Sequence, residues 1–215
     1  MSIIQGMIRF IQAGEIWVYP ILIAMIAGLA ICVERWIFLQ GVTRNSNKIW
    51  NMIHPLLNQG ELKKALGMVK QSETPLARIM THGISRSFNA RTHEDVELAL
   101  EEGLMEALPR IEKRTNYIST IANVSTLLGL LGTIMGLIDA FAAVASADPA
   151  QKADLLSKSV SVAMNTTALG LISAIPLMLL YAYLQSKTNE VIESLEMANM
   201  KFMNILRNLA QKTTD

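Results

Sequence analysis

The stretch ISTIANVSTLLGLLGTIMGLIDAFAAVASA, residues 118–147, decides the fold. It carries one charge, Asp139. A bilayer core of about 30 Å is crossed by roughly 20 apolar helical residues, because each residue rises about 1.5 Å. Residues 118–147 exceed that length. Two further stretches meet it: residues 16–39, with Glu34-Arg35 near one end, and residues 160–186, which hold no charge. Between the last two spans, residues 148–159 (DPAQKADLLSKS) read as a short polar loop with a Pro-marked turn. The chain is expected to be an all-α membrane protein, with three transmembrane helices extended by long helices outside the membrane.

The charges support this partition. Of 215 residues, 19 are basic and 18 acidic, leaving a net charge of +1. The charged fraction is 17%, against about 25% in a typical soluble domain. Residues 34–117 hold 22 of the 37 charges and 187–215 hold eight more. Such crowding excludes one soluble globular domain, and the near-neutral balance gives no reason to expect a nucleic-acid partner.

Lys and Arg set the direction of a membrane protein. Residues 34–117 and 187–215 contain sixteen of them, whereas only Arg9, Lys152 and Lys158 lie on the other side. The expected order is an outward-facing N-terminal helix (1–15), a first span (16–39) and a cytoplasmic helical domain (40–117). A second span (118–147), an outward-facing loop (148–159), a third span (160–186) and a cytoplasmic C-terminal helix (187–215) follow. A cleaved leader is the competing reading of the first span, but Glu34-Arg35-Trp36 continues the segment where small residues would mark a cleavage site. Cys32 is the lone cysteine, so no disulfide forms within the chain.

The cytoplasmic parts read as helical. Gly60-Glu61 opens an amphipathic run to Gln71, Thr74-Pro75 breaks it, and Leu76–Phe88 forms another helix. Thr92 with Asp95 is a capping box that starts a long helix, kinked at Pro109 and continuing into the second span. Val191, Leu195, Ala198, Phe202 and Leu206 make an apolar stripe on the last helix.

Within the second span, Thr126, Gly129, Thr133, Gly136 and Ala140 recur at steps of three and four on one helical face, with Gly132 beside them. The third span repeats this with Ser159, Ala163, Thr166, Thr167, Gly170 and Ser173. Close helix packing explains such faces, since small residues let backbones approach in a membrane. A narrow polar pathway explains them too, with hydroxyl and carbonyl oxygens replacing part of an ion's hydration shell. Asp139 is read either as an ion mouth or as a group snorkelling to the outer interface. Paired catalytic carboxylates, a His or Cys cluster, a nucleophile with a base and a phosphate loop are all missing. His54, His82 and His93 are scattered, so an enzyme is not expected and no cofactor is implied.

Residues 127–141, LLGLLGTIMGLIDAF, together with residues 167–176, TALGLISAIP, resemble the MotA/TolQ/ExbB family of ion-channel subunits. Three spans match the ExbB and TolQ branch, because MotA-type subunits have four. The resemblance implies a homopentamer in the bacterial inner membrane whose second and third spans line a pore. It implies a dimer of single-span ExbD- or TolR-like partners carrying an ionisable Asp, and a TonB- or TolA-like protein that receives the work. Thr133 and Thr167 match the family's pore threonines. The family usually carries Glu five residues before the second threonine, where this chain has Val162. Asn165-Thr166-Thr167 looks like the sodium-driven stators, so the resemblance allows Na⁺ at Thr133, Thr166 and Thr167 as well as H⁺. The alternatives are a non-conducting membrane scaffold, or a Tol-type or motility-type motor of the same family.

Overall fold

The computed structural model describes residues 16–214, and the helix expected over residues 1–15 lies outside them. Six helices follow in order: α1 (Val18–Asn58), α2 (Leu62–Val69), α3 (Pro75–Ser87), α4 (His93–Glu112), α5 (Thr115–Ser146) and α6 (Lys152–Thr214). No strand occurs among the described residues. Three helical stretches are long and apolar enough to cross a membrane. Only 22%, 22% and 33% of their most apolar windows is buried within the chain. Their outward apolar surface therefore needs lipid or another polypeptide to cover it.

The chain divides into two compact units. Residues 16–34 and 114–183 make the first, and residues 35–113 and 184–214 the second. In the first, Val18 and Ile21 of α1 pack with Leu169 of α6, and Leu22 and Leu128 flank them. Gly28 leaves room for Leu177, whose methyls would lie 2.8 and 2.9 Å from an added Cβ. In the second unit, Ile53 and Leu57 of α1, Ile79, Met80 and Ile84 of α3, Leu100 and Ile111 of α4, and Phe202 of α6 are fully enclosed. The stripe on α6 faces this core: Val191, Leu195, Ala198 and Phe202 are buried, with Leu206 partly so.

Local chemistry explains two of the helix starts. Thr74 caps α3, its hydroxyl accepting from the Ala77 amide at 3.3 Å, with Pro75 at the first helical position. At α4 the expected capping box forms: Thr92 Oγ1 accepts from the Asp95 amide, and Asp95 Oδ2 accepts from the Thr92 amide at 3.1 Å.

Two readings of the sequence are corrected. The helix that starts after Thr92 does not run on into the second span: α4 passes through Pro109 and ends at Glu112, with the Lys113 amide donating to the Pro109 carbonyl at 3.1 Å. The break falls at Arg114, whose φ of 72° is the one positive value at a non-glycine described residue. Its guanidinium lies 3.5 Å from Glu34, which helps hold a conformation that costs an ordinary side chain about 1 kcal/mol. Second, helical structure resumes at Lys152, so much of the segment read as a loop forms the first turns of α6. Only residues 147–151 connect α5 to α6.

Candidate functional site

The site is built where α5 and α6 of the first unit meet. Glycines set their spacing. A Cβ on Gly170 would lie 2.8 Å from the Ser125 carbonyl oxygen and 3.0 Å from Gly129 Cα. One on Gly129 would lie 3.1 Å from Gly170 Cα. No real Cβ tolerates the first of these distances without a shift in backbone, so only glycine permits the approach. Small side chains thereby expose main-chain oxygens that bulkier ones would cover.

Thr133 and Thr167 are brought together across this contact, their hydroxyls hydrogen-bonded to each other. Thr133 Oγ1 also lies 3.2 Å from the Gly129 carbonyl oxygen, one turn back on its own helix, and 3.1 Å from the Ala163 carbonyl oxygen on α6. Thr167 Oγ1 lies 3.0 Å from the Gly129 carbonyl oxygen. Four oxygens thus converge from two helices, and both threonines remain partly accessible.

Proton counting shows what this cluster can do. Each hydroxyl has one proton, whereas each carbonyl only accepts. When Thr133 donates to Thr167 and Thr167 donates to Gly129, no hydroxyl proton is left for a lone pair on Thr133 or for the second lone pair of the Ala163 carbonyl, whose first accepts the Thr167 amide within α6. The cluster is short of protons by construction. A protonated carboxyl or a cation arriving from outside meets acceptors, while an ionised carboxylate meets a hydroxyl that can rotate to donate.

The other expected site residues fall into separate groups. Thr166 is fully buried with its methyl against Gly132, where an added Cβ would sit 2.4 Å from it. Its hydroxyl donates to the Val162 carbonyl at 3.4 Å, away from the threonine pair. Asn165 is half-buried and makes no hydrogen bond to the pair. Gly136 and Ala140 are buried further along α5. Thr126 donates to the Ala122 carbonyl at 3.3 Å, and Ser173 is buried with no hydrogen-bond partner among the described residues. Asp139 is exposed on α5, about 9 Å beyond Thr133 along the axis. The carbonyl oxygens of Gly129 and Ala163 stand beside the threonine pair, which residue types alone do not reveal. Their signal was a small residue four positions before each threonine.

The sequence pattern of the MotA/TolQ/ExbB proton channel family matches residues 71–197. A biopolymer transport protein ExbB homologue of Methanothermobacter thermautotrophicus is 28% identical over 88% of this chain and 67% of its own length. An ExbB-like biopolymer transport protein of Synechocystis is 28% identical over 78% of this chain and 80% of its own. The Tol-Pal system protein TolQ of Haemophilus influenzae is 27% identical over 60% and 50% respectively. The family match covers both spans that carry the threonine pair and more than half the chain, so this protein belongs to the MotA/TolQ/ExbB proton channel family, close to its ExbB and TolQ members.

Proposed function

We propose that the chain is the ion-conducting inner-membrane subunit of an ExbB/TolQ-like motor. It couples an ion-motive force to work in the periplasm or at an outer membrane, such as TonB-dependent transport. The observation that carries this reading is the cross-helix pair of Thr133 and Thr167, with the Gly129 and Ala163 carbonyls beside it. In this reading five copies surround a dimer of single-span ExbD- or TolR-like partners. The N-terminus is periplasmic and the C-terminus cytoplasmic, as the distribution of Lys and Arg favours.

The chain's own groups then have defined tasks. The titrating carboxyl belongs to the partner, because the spanning parts of α5 and α6 carry no acid but the peripheral Asp139. When that carboxyl is protonated it donates to the acceptors around Thr133. When it ionises, a threonine hydroxyl turns to donate to it. The pair therefore accommodates both states at one place and lowers the difference between them. Asp139 attracts cations at the outer mouth. Val162 supplies no carboxyl, so no proton passes through that position.

The transported ion is H⁺ or Na⁺. For sodium, a hard cation that takes oxygen ligands, the ligands on this chain would be the Thr133 and Thr167 hydroxyls and the Gly129 and Ala163 carbonyls. Thr166 joins them only after its hydroxyl leaves Val162. Sodium coupling predicts work that follows external Na⁺ and survives a protonophore while a sodium gradient lasts. Proton coupling predicts immediate collapse.

A second reading, a non-conducting scaffold, is favoured by the Gly129–Gly170 backbone approach, which serves packing alone equally well. Replacing Thr133 or Thr167 with Val separates the two, because Val keeps the shape and removes the hydroxyl. The motor reading expects loss of energised work in cells with the assembly intact. Full activity in both variants would support the scaffold.

A further inference from the structure

We propose that copies of this chain meet head to tail, with α4 of one copy lying along α1 of the next. The inference rests on the reading that copies assemble, and it names the surfaces by which they do so. On α1, Ile37, Gly41, Asn45, Lys48 and Met52 line an outward-opening groove of about 1010 Å³. Its rim carries Lys48, Arg110 and Lys113 against a single acid, Glu73. Arg44 stands one helical turn before Lys48; both are exposed, and neither pairs with an acid among the described residues. On α4, Leu98 and Met105 are 65% and 62% exposed. Between and beside them stand exposed Glu97, Glu101 and Glu102, none of them paired among the described residues. An apolar ridge edged with carboxylates thus faces outward on one helix, and an apolar groove edged with cations on another.

Their heights agree. Arg35 of α1 donates to the Ile111 carbonyl of α4, which gives both helices a common level. Arg44 and Lys48 lie nine and thirteen residues beyond Arg35, about 13 and 20 Å along the axis. Glu101 and Glu97 lie ten and fourteen residues before Ile111, about 15 and 21 Å along. On this count each cation falls within one helical turn of a carboxylate. Gly41 and Met105 are each six residues from the common level, so both sit about 9 Å along. A Cβ on Gly41 would meet nothing within 4 Å, which leaves room for the Met105 side chain of a neighbour.

The two surfaces belong to different flanks. Asn47 and Trp50 of α1 line a cleft with Glu193 and Met197 of α6. Glu97 and Glu101 line another with Glu196 and Met200. One stretch of α6 therefore has α1 on one face and α4 on another. Complementary patches on different flanks make a heterologous contact, which repeats from copy to copy and closes into a ring when the rotation allows.

The test uses full-length chains in their membrane, in a Cys32→Ser background. One tagged chain carries Gly41→Cys and a second carries Met105→Cys, so a disulfide between them has to join two chains. Oxidation should yield a linked pair only when both are co-expressed. Reversing Arg44→Glu with Lys48→Glu should cut that yield about tenfold or more, and adding Glu97→Arg with Glu101→Lys should return it to within about twofold. No linked pair, or yields indifferent to both changes, would overturn the contact, as would a phospholipid held in the groove of unlinked chains. Thr133→Val chains should link normally. In chains that keep Thr133 and Thr167, intact linkage without ion-driven work counts against the channel reading alone, and work without linkage counts against this contact alone.

Discussion

At the scale of single residues, the site depends on which atoms two helices can bring together. Gly170 is the tightest point, since a methyl there would press on the Ser125 carbonyl oxygen. Gly170→Ala should destabilise the protein by about 1–3 kcal/mol and part the threonine pair, which a lowered unfolding temperature and lost activity would show. Gly67 is the control, because a Cβ there meets nothing within 4 Å. Gly67→Ala in α2 should leave stability unchanged or raise it by up to about 1 kcal/mol. Equal stability of the Gly170→Ala variant and the parent would contradict the close approach. The small-residue faces of both spans were legible because glycines and threonines recur at helical spacing, whereas Thr133 and Thr167 were singled out on them by the family resemblance. The orientation of Thr166 was not: neighbouring residues on a helix point about 100° apart, and only the crossing of α5 with α6 decides which hydroxyl meets its partner. Nor can residue types reveal the Ala163 carbonyl, because every residue has one and packing alone decides which is exposed.

At the scale of elements, end chemistry is as telling as apolar periodicity. The Asp95 carboxyl is held below the usual carboxylate range, first by the Thr92 amide, then by the Arg91 amide, with the Arg86 charge assisting. A lowered folded value means that ionised Asp95 stabilises the start of α4 above the ordinary value near 4. That support is lost as pH falls through the lowered value. Amide exchange at His93–Val96, corrected for its intrinsic rate, should therefore quicken below about pH 4, and Asp95→Asn should remove most of this acid dependence. Thr92→Ala should weaken the same turn by about 1 kcal/mol. In the second unit Phe202 is fully enclosed, against Gly83 and close to Leu100. Phe202→Ala should cost about 3–5 kcal/mol, seen as a lower melting temperature without loss of the spans. The capping box and the α6 stripe were readable from side-chain types alone. The continuation of α1 to Asn58 was obscured where composition turns polar after residue 39 while the helix persists. The break at Arg114 was hidden because Pro109 is the conspicuous helix breaker and arginine an unexpected left-handed residue.

At the scale of the whole molecule, an uneven distribution of charge accounts for the design. The spanning stretches carry almost no charge of their own, which is why the proposed motor takes its titrating group from a partner. The helices beyond the spans hold most of the charge, and on α1 and α4 it is segregated by sign. Three spans were legible in composition, since apolar stretches of about twenty residues with almost no charge have few other uses. The division into two compact units was not, because α1 and α6 each run through both without interruption. The central claim is that the Thr133–Thr167 pair forms part of an ion path. It is tested most directly by ion flux into liposomes holding this chain with its single-span partner, in parent, Thr133→Val and Thr167→Val forms at equal assembly. Loss of a hydrogen bond to a charged or titrating group predicts a fall of roughly tenfold to a hundredfold in either variant. Partner-dependent flux equal to the parent's in both variants would contradict the account.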